Sequence, residues 1–240
     1  MSDYDRSNYT YGKTAGSLSA YITKVFGHMG IGLAITAAVA FLGYYSVVTG
    51  GIFYKLLTTA PWFMFVLLFA ELGIAFGMGR AVSGMSSATC RLMFFIYSAL
   101  TGITFSLLPM TYGISTVFTA FLFAAVLFIC CAIIGHTTSV DLSKFAGLMM
   151  GALLALIIMT VISLFVPVLR NSLFIGYLGL IIFLGITAWD MQKVKRFYYQ
   201  VEEGELKENL AIYSAFELYL DFINIFLYIL RILGSRSSRN

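Results

Sequence analysis

Apolar and polar positions divide the chain into seven apolar runs, near residues 25–49, 61–79, 92–112, 116–135, 145–168, 172–192 and 209–233. Each is close to the roughly 20 apolar residues that a helix needs to cross a bilayer. No stretch alternates with period two, so helices are expected rather than the strands of a barrel. Pro61 opens the second run, where a missing N–H costs nothing. Pro109 and Pro167 stand near the ends of the third and fifth, where a helix can stop. Trp62 and several tyrosines sit at run ends and suit the membrane–water interface. The pattern predicts an all-α polytopic membrane bundle of seven helices over residues 25–233. A polar tail (1–24) precedes it and a short basic tail (234–240) follows. The first twenty residues, MSDYDRSNYTYGKTAGSLSA, lack the apolar core of a cleavable signal, so the first run is expected to act as an uncleaved anchor.

Ionisable groups inside such runs are costly and usually serve function. Four acids qualify: Glu71, Asp190, Glu217 and Asp221. At 100° per residue, Ser214, Glu217, Asp221, Asn224, Tyr228 and Arg231 fall within an arc of roughly 100° on the seventh run, and the rest of that helix is Leu, Ile and Phe. A polar stripe of this kind must face protein or water, which directs it to the bundle centre. The sixth run ends TAWDMQKVKRF and the loop after it is short, so the sixth and seventh helices are expected to be antiparallel neighbours. Asp190 and Asp221 could then meet. Two carboxyls close together in low dielectric tend to share a proton, and the pair would act as a pH switch. Their oxygens would also suit a hard divalent cation such as calcium. The plainer alternatives are that Asp190 reaches the interface near Lys193, and that Ser214 and Asn224 serve as interhelical hydrogen-bond glue. Arg80, at the end of the second run, either snorkels to the surface or turns inward to the carboxylates. Glu71 lies nine residues earlier, on the opposite side of the helix, so it needs another partner, such as a neighbouring helix.

Composition narrows the class. Apolar residues make up 60% of the 240 and charged residues 11%, with a mean hydropathy of +0.91; a soluble chain carries about 25% charge. These values exclude a soluble enzyme and a secreted disulfide scaffold. The net charge of +4 is not gathered into a basic stripe, which argues against nucleic acid. The three cysteines, Cys90, Cys130 and Cys131, form no disulfide framework and are expected to face lipid. Two glycine pairs, Gly73 with Gly77 and Gly147 with Gly151, have the spacing that lets membrane helices approach. Summed over alternate loops, ten Lys and Arg fall on the side of the N-terminal tail and five on the other, so the N-terminus is expected to be cytoplasmic. Three of those five (Arg231, Arg236, Arg239) belong to the C-terminal end, which leaves open whether the last run crosses the membrane or returns.

LYLDFINIFLYILRILG (218–234), preceded by Trp189-Asp190-Met191-Gln192, resembles the Bax inhibitor-1 family of membrane proteins, and the resemblance covers essentially the whole chain. Trp189 stands where a tyrosine is usual, and Met191 after the aspartate is a second departure. The resemblance implies a seven-helix bundle with the last helix at its centre, acting as a pH-sensitive calcium leak channel. It assigns the proton-sharing pair to Asp190 and Asp221, a closed-state latch to Arg80 and the second-helix glutamate to Glu71. It also implies a bacterial plasma membrane location and, for some relatives, binding to a membrane-anchored AAA protease.

An intramembrane aspartyl protease would need GxGD where YLD stands, a retinal protein would need a lysine within 209–233, and a rhomboid-type protease would need a glycine ahead of the VSG at 82–84. No catalytic activity is therefore expected. The expected function is a calcium leak that is plugged while the aspartate pair holds its proton or Arg80 latches it, and that loosens on deprotonation. Glu71, Glu217 and Asn224 are candidates for the ion path. Calcium enters as the transported ion and no cofactor is implied. A regulatory membrane protein and a proton-coupled calcium exchanger are the alternatives, and the oligomeric state is not legible.

Overall fold

The computed structural model describes residues 3–60, 62–166 and 173–237, with side chains from Ser17 onward except those of 164, 165, 236 and 237. Pro61, Pro167, Arg170 and Arg239 lie outside the described residues. Those described are helical, with no strand among them. In chain order they form α1 (Asp3–Val48), α2 (Ile52–Thr59), α3 (Phe63–Gly84), α4 (Ser87–Phe105), α5 (Leu108–Tyr112), α6 (Ile114–Thr137), α7 (Ala146–Phe165), α8 (Leu173–Gln200) and α9 (Glu205–Ser237). Six helices are long and apolar enough to cross a membrane, beginning with the Ser17–Val48 part of α1, and α9 is not among them.

The predicted runs are recovered with four differences. The polar head is not a loose tail, because α1 runs back to Asp3 and the polar residues simply continue the helix. The basic end is helical as far as Ser237. The third run is broken: α4 ends at Phe105, and Pro109 stands in the first turn of α5, where its ring is tolerated. An unpredicted helix, α2, fills the break between the first two runs. Gly50 turns the chain at φ 69°, a conformation open to glycine, and the Ser46 hydroxyl accepts the Phe53 N–H at 3.1 Å.

Two compact units make up the fold, Met1–Thr104 with Lys193–Phe216, and Phe105–Gln192 with Glu217–Asn240. In the first, α1 and α4 pack closely. Gly32 admits the Phe94 ring, Gly102 admits the Thr36 carbonyl, and Thr36 Oγ1 donates to the Ser98 carbonyl at 2.9 Å. The first turns of α9 close the corner between α3 and α4. Asn209 donates to the carbonyls of Val82 (3.1 Å) and Met85 (2.8 Å), while Glu205 accepts the Ser87 N–H at 3.2 Å. These contacts supply both ends of the corner with the partners that helix termini lack. Glu208 is held between Lys24 and Arg91.

In the second unit, α9 packs through its rings. Phe222 lies between Phe121 and Phe128 of α6, at 5.4 and 5.7 Å, and Phe226 meets Phe105 at 5.5 Å. Side chains such as Phe118 and Val126 of α6 and Leu148 and Leu154 of α7 stand exposed, an arrangement suited to lipid as solvent. Cys130 is exposed as expected, but Cys90 is buried, with its thiol toward the Ala81 carbonyl at 3.5 Å.

The glycine pairs chosen for spacing are not where helices touch. A Cβ on Gly73, Gly147 or Gly151 would meet nothing within 4 Å, and one on Gly77 would meet only the tip of Met93. Close approach occurs instead at Gly135, where a Cβ would collide with the Ala188 backbone, and at Gly179, where it would enter the Tyr228 ring. Gly135→Ala is expected to lower stability by about 1–3 kcal/mol, because backbone cannot give way as a side-chain tip can. Gly151→Ala should be neutral. Thermal unfolding in detergent compares the two, and equal melting temperatures would place the tight α6–α8 contact elsewhere.

Candidate functional site

The site lies in the second unit, where α8 and α9 run antiparallel. Phe183 of α8 and Tyr228 of α9 face each other with ring centroids 5.8 Å apart. Gly179 and Gly176 leave room, one helical turn after another, for Tyr228 and Ile232. These contacts fix the register. Seven residues on from Phe183 is Asp190, and seven residues back from Tyr228 is Asp221. Seven residues make about two helical turns, so each acid lies on the face of its helix that carries the facing ring. Both are buried, at 6% and 3% exposure. Burial at this depth removes the reading in which Asp190 reaches the surface near Lys193.

The helix carrying Asp190 is braced on both sides of the acid. Two residues before it, the Ala188 backbone lies against Gly135 of α6. Two residues after it, the Gln192 side chain donates to the Val140 carbonyl at 2.7 Å and accepts the Leu142 N–H at 3.0 Å, spanning the loop after α6. Asp141, between those two loop positions, accepts the Ser143 N–H at 3.0 Å and starts the short 3-10 turn Leu142–Phe145. On α9, Phe222 follows Asp221 and is seated between two α6 rings. Both acids therefore sit on backbone that cannot easily shift without breaking packed contacts.

The remaining candidates fare differently. Glu217 is half-buried one turn before Asp221 on α9. Asn224 is half-buried and donates to the Leu220 carbonyl of its own helix at 2.8 Å, so it is not glue to a neighbour through that amide. Ser214 is buried, and its hydroxyl has no hydrogen-bond partner among the described residues. In the first unit, Glu71 accepts from Thr104 Oγ1 of α4 at 3.0 Å, which supplies the neighbouring-helix partner expected of it. Arg80 is exposed on α3, in the first unit, and no ion pair or hydrogen bond is seen for it among the described residues. Gln192 was missed. Its signal was present in the sequence, since a glutamine two residues beyond a buried acid at a helix end can reach loop backbone.

The comparisons with known proteins agree with an integral membrane chain. Residues 18–238 match the family described as inhibitor of apoptosis-promoting Bax1. The chain is 32% identical to the Rickettsia prowazekii protein RP147, over 98% of this chain and 99% of that one. It is likewise 32% identical to the inner membrane protein YbhL of Escherichia coli K12, over 98% of this chain and 100% of that one. A membrane protein of Streptococcus pyogenes serotype M1 is 33% identical over 93% of this chain and 96% of its own.

The register can be tested directly. In a chain whose native cysteines are replaced by serine, the pair Asp190→Cys with Asp221→Cys is expected to cross-link under mild oxidation. The pair Asp190→Cys with Asn224→Cys, offset by about one turn, should cross-link far more slowly. Equal rates would mean that α8 and α9 are not held in the register that the Phe183–Tyr228 contact implies.

Proposed function

This chain belongs to the Bax inhibitor-1 family of membrane proteins, and on that footing we propose that it is a pH-sensitive calcium leak gated by Asp190 and Asp221. One observation supports the reading: two buried acids each lie seven residues from the facing Phe183 and Tyr228 rings of an antiparallel helix pair. Two carboxyls close together in a low-dielectric interior cannot both hold charge cheaply, so they share a proton, and the number of protons on the pair governs how firmly α8 and α9 hold together. Carboxylate oxygens are the ligands that a hard divalent cation accepts. A resident calcium ion takes about six to eight oxygens. Among the described residues no three His, Cys, Asp or Glu side chains gather round one point. A pair of carboxylates suits an ion in passage better than one in residence.

Conduction requires α9 to move. No residue from Lys207 to Ser235 is exposed, which supports reading this arrangement as the closed form. The N-terminus is placed in the cytoplasm on the Lys and Arg count, and the chain in a bacterial plasma membrane.

Calcium flux into liposomes holding the purified protein tests the gate. Between about pH 5 and 8 the wild-type flux is expected to vary with pH, and Asp190→Asn and Asp221→Asn should each flatten that profile. A folded variant that keeps the wild-type profile would remove its residue from the gate. Flux no greater than in protein-free liposomes at every pH would favour the regulatory reading, in which the chain restrains a membrane-anchored protease and the acids are structural.

A further inference from the structure

A cavity of about 230 Å³ lies in the first unit, bordered by Tyr21 and Lys24 of α1, Tyr198 of α8, and Glu203, Gly204 and Lys207 around the start of α9. Its groups look toward an anion. Tyr21 is 7% exposed, and its hydroxyl is buried with no hydrogen-bond partner among the described residues, so a donor is left for whatever fills the space. Lys207 is 8% exposed, with its ammonium 4.1 Å from the centroid of the Tyr198 ring. A buried cation needs a counter-charge, and the one recorded for Lys207 is Glu203 at 2.6 Å. Yet the Glu203 side chain is 81% exposed, so this partner reaches in from solvent. Gly204 precedes α9, whose first turn carries Glu205, turned to the Ser87 N–H, and Glu208. The other acid on the cavity wall, Glu208, is already neutralised between Lys24 and Arg91.

We propose that this cavity binds a phosphate oxyanion, and that the Glu203 carboxylate occupies the phosphate's place on Lys207 until one arrives. The donors present (a phenol and a desolvated ammonium) match the oxygens of a phosphate. The level of the cavity makes a headgroup one natural source. Ser17, where the first apolar span begins, also lines it, and Tyr198 lies two residues before Gln200, where the α8 span ends. A lipid phosphate sits at that depth, and free phosphate can reach it from water.

The experiment uses the full chain in a neutral detergent, titrated calorimetrically with inorganic phosphate and, separately, with a short-chain phosphatidylglycerol. Saturable binding of at least one probe is expected. Saturation by the lipid alone assigns the site to headgroups, and saturation by inorganic phosphate assigns it to the free anion as well. Glu203→Gln, at an exposed position, removes the internal competitor and should tighten binding several-fold. Tyr21→Phe removes one hydrogen bond and should weaken it about fivefold. The proposal is overturned if neither probe saturates the wild-type chain and Glu203→Gln. It is equally overturned if a probe saturates all three chains with the same affinity.

Discussion

Carboxyl groups placed in the middle of a membrane must be enclosed by protein, because hydrocarbon offers them neither water nor counter-ions. Glu217 and Asp221 lie one turn apart on α9, and a helix bearing both cannot present that face to lipid. From Lys207 to Ser235 no residue of α9 is exposed. In one unit the covering includes Phe94 and Tyr97 of α4, whose rings meet Phe216 at 5.6 and 5.0 Å. In the other it includes α6 against Phe222 and α8 against Tyr228. Large apolar side chains stand exposed on other helices, among them α6 and α7, whose sequences hold no acidic residue. The division between a polar enclosed helix and apolar enclosing ones follows from where the acids sit.

Much of this was legible because lipid is a uniform solvent. A run of apolar residues of the right length reads as a span whatever packs beside it, and six such spans stand close to their expected bounds. What escaped depended on partners or on water. Polarity at residues 3–24 says that a segment is solvated, not that it is unwound, so the helical continuation of α1 went unread. Helix α2 has eight residues, too few to register as a run. The glycine contacts failed for a sharper reason. Spacing marks a glycine that could admit a neighbour, but Gly135 and Gly179 are fixed by what faces them, an Ala188 backbone and a Tyr228 ring that lie far off in sequence.

For the site, the acids were found by the cost of placing them in the membrane, and the antiparallel pairing by the short loop between the last two runs. The register of that pairing could not be read, since it depends on how residues such as Phe183 and Tyr228 meet. Glu71 found a hydroxyl one helix away, on Thr104, a residue whose polarity is unremarkable among the threonines of this chain. Lys207 was counted only as a charge that orients the chain. Its burial beneath Tyr198 was invisible because it arises between α8 and α9 after they have turned back on each other.

The contacts that Asn209 and Glu205 make with the α3–α4 corner bear on the order in which the protein can be completed. During synthesis α3 and α4 emerge and enter the membrane well before α9 exists. Until then the carbonyls of Val82 and Met85 and the amide of Ser87 wait without the partners they will keep. The corner is finished by a segment made more than a hundred residues later. A ribosome that stops before α9 releases a chain with its spans inserted, its corner uncapped and the rings meant for α9 open to one another or to lipid.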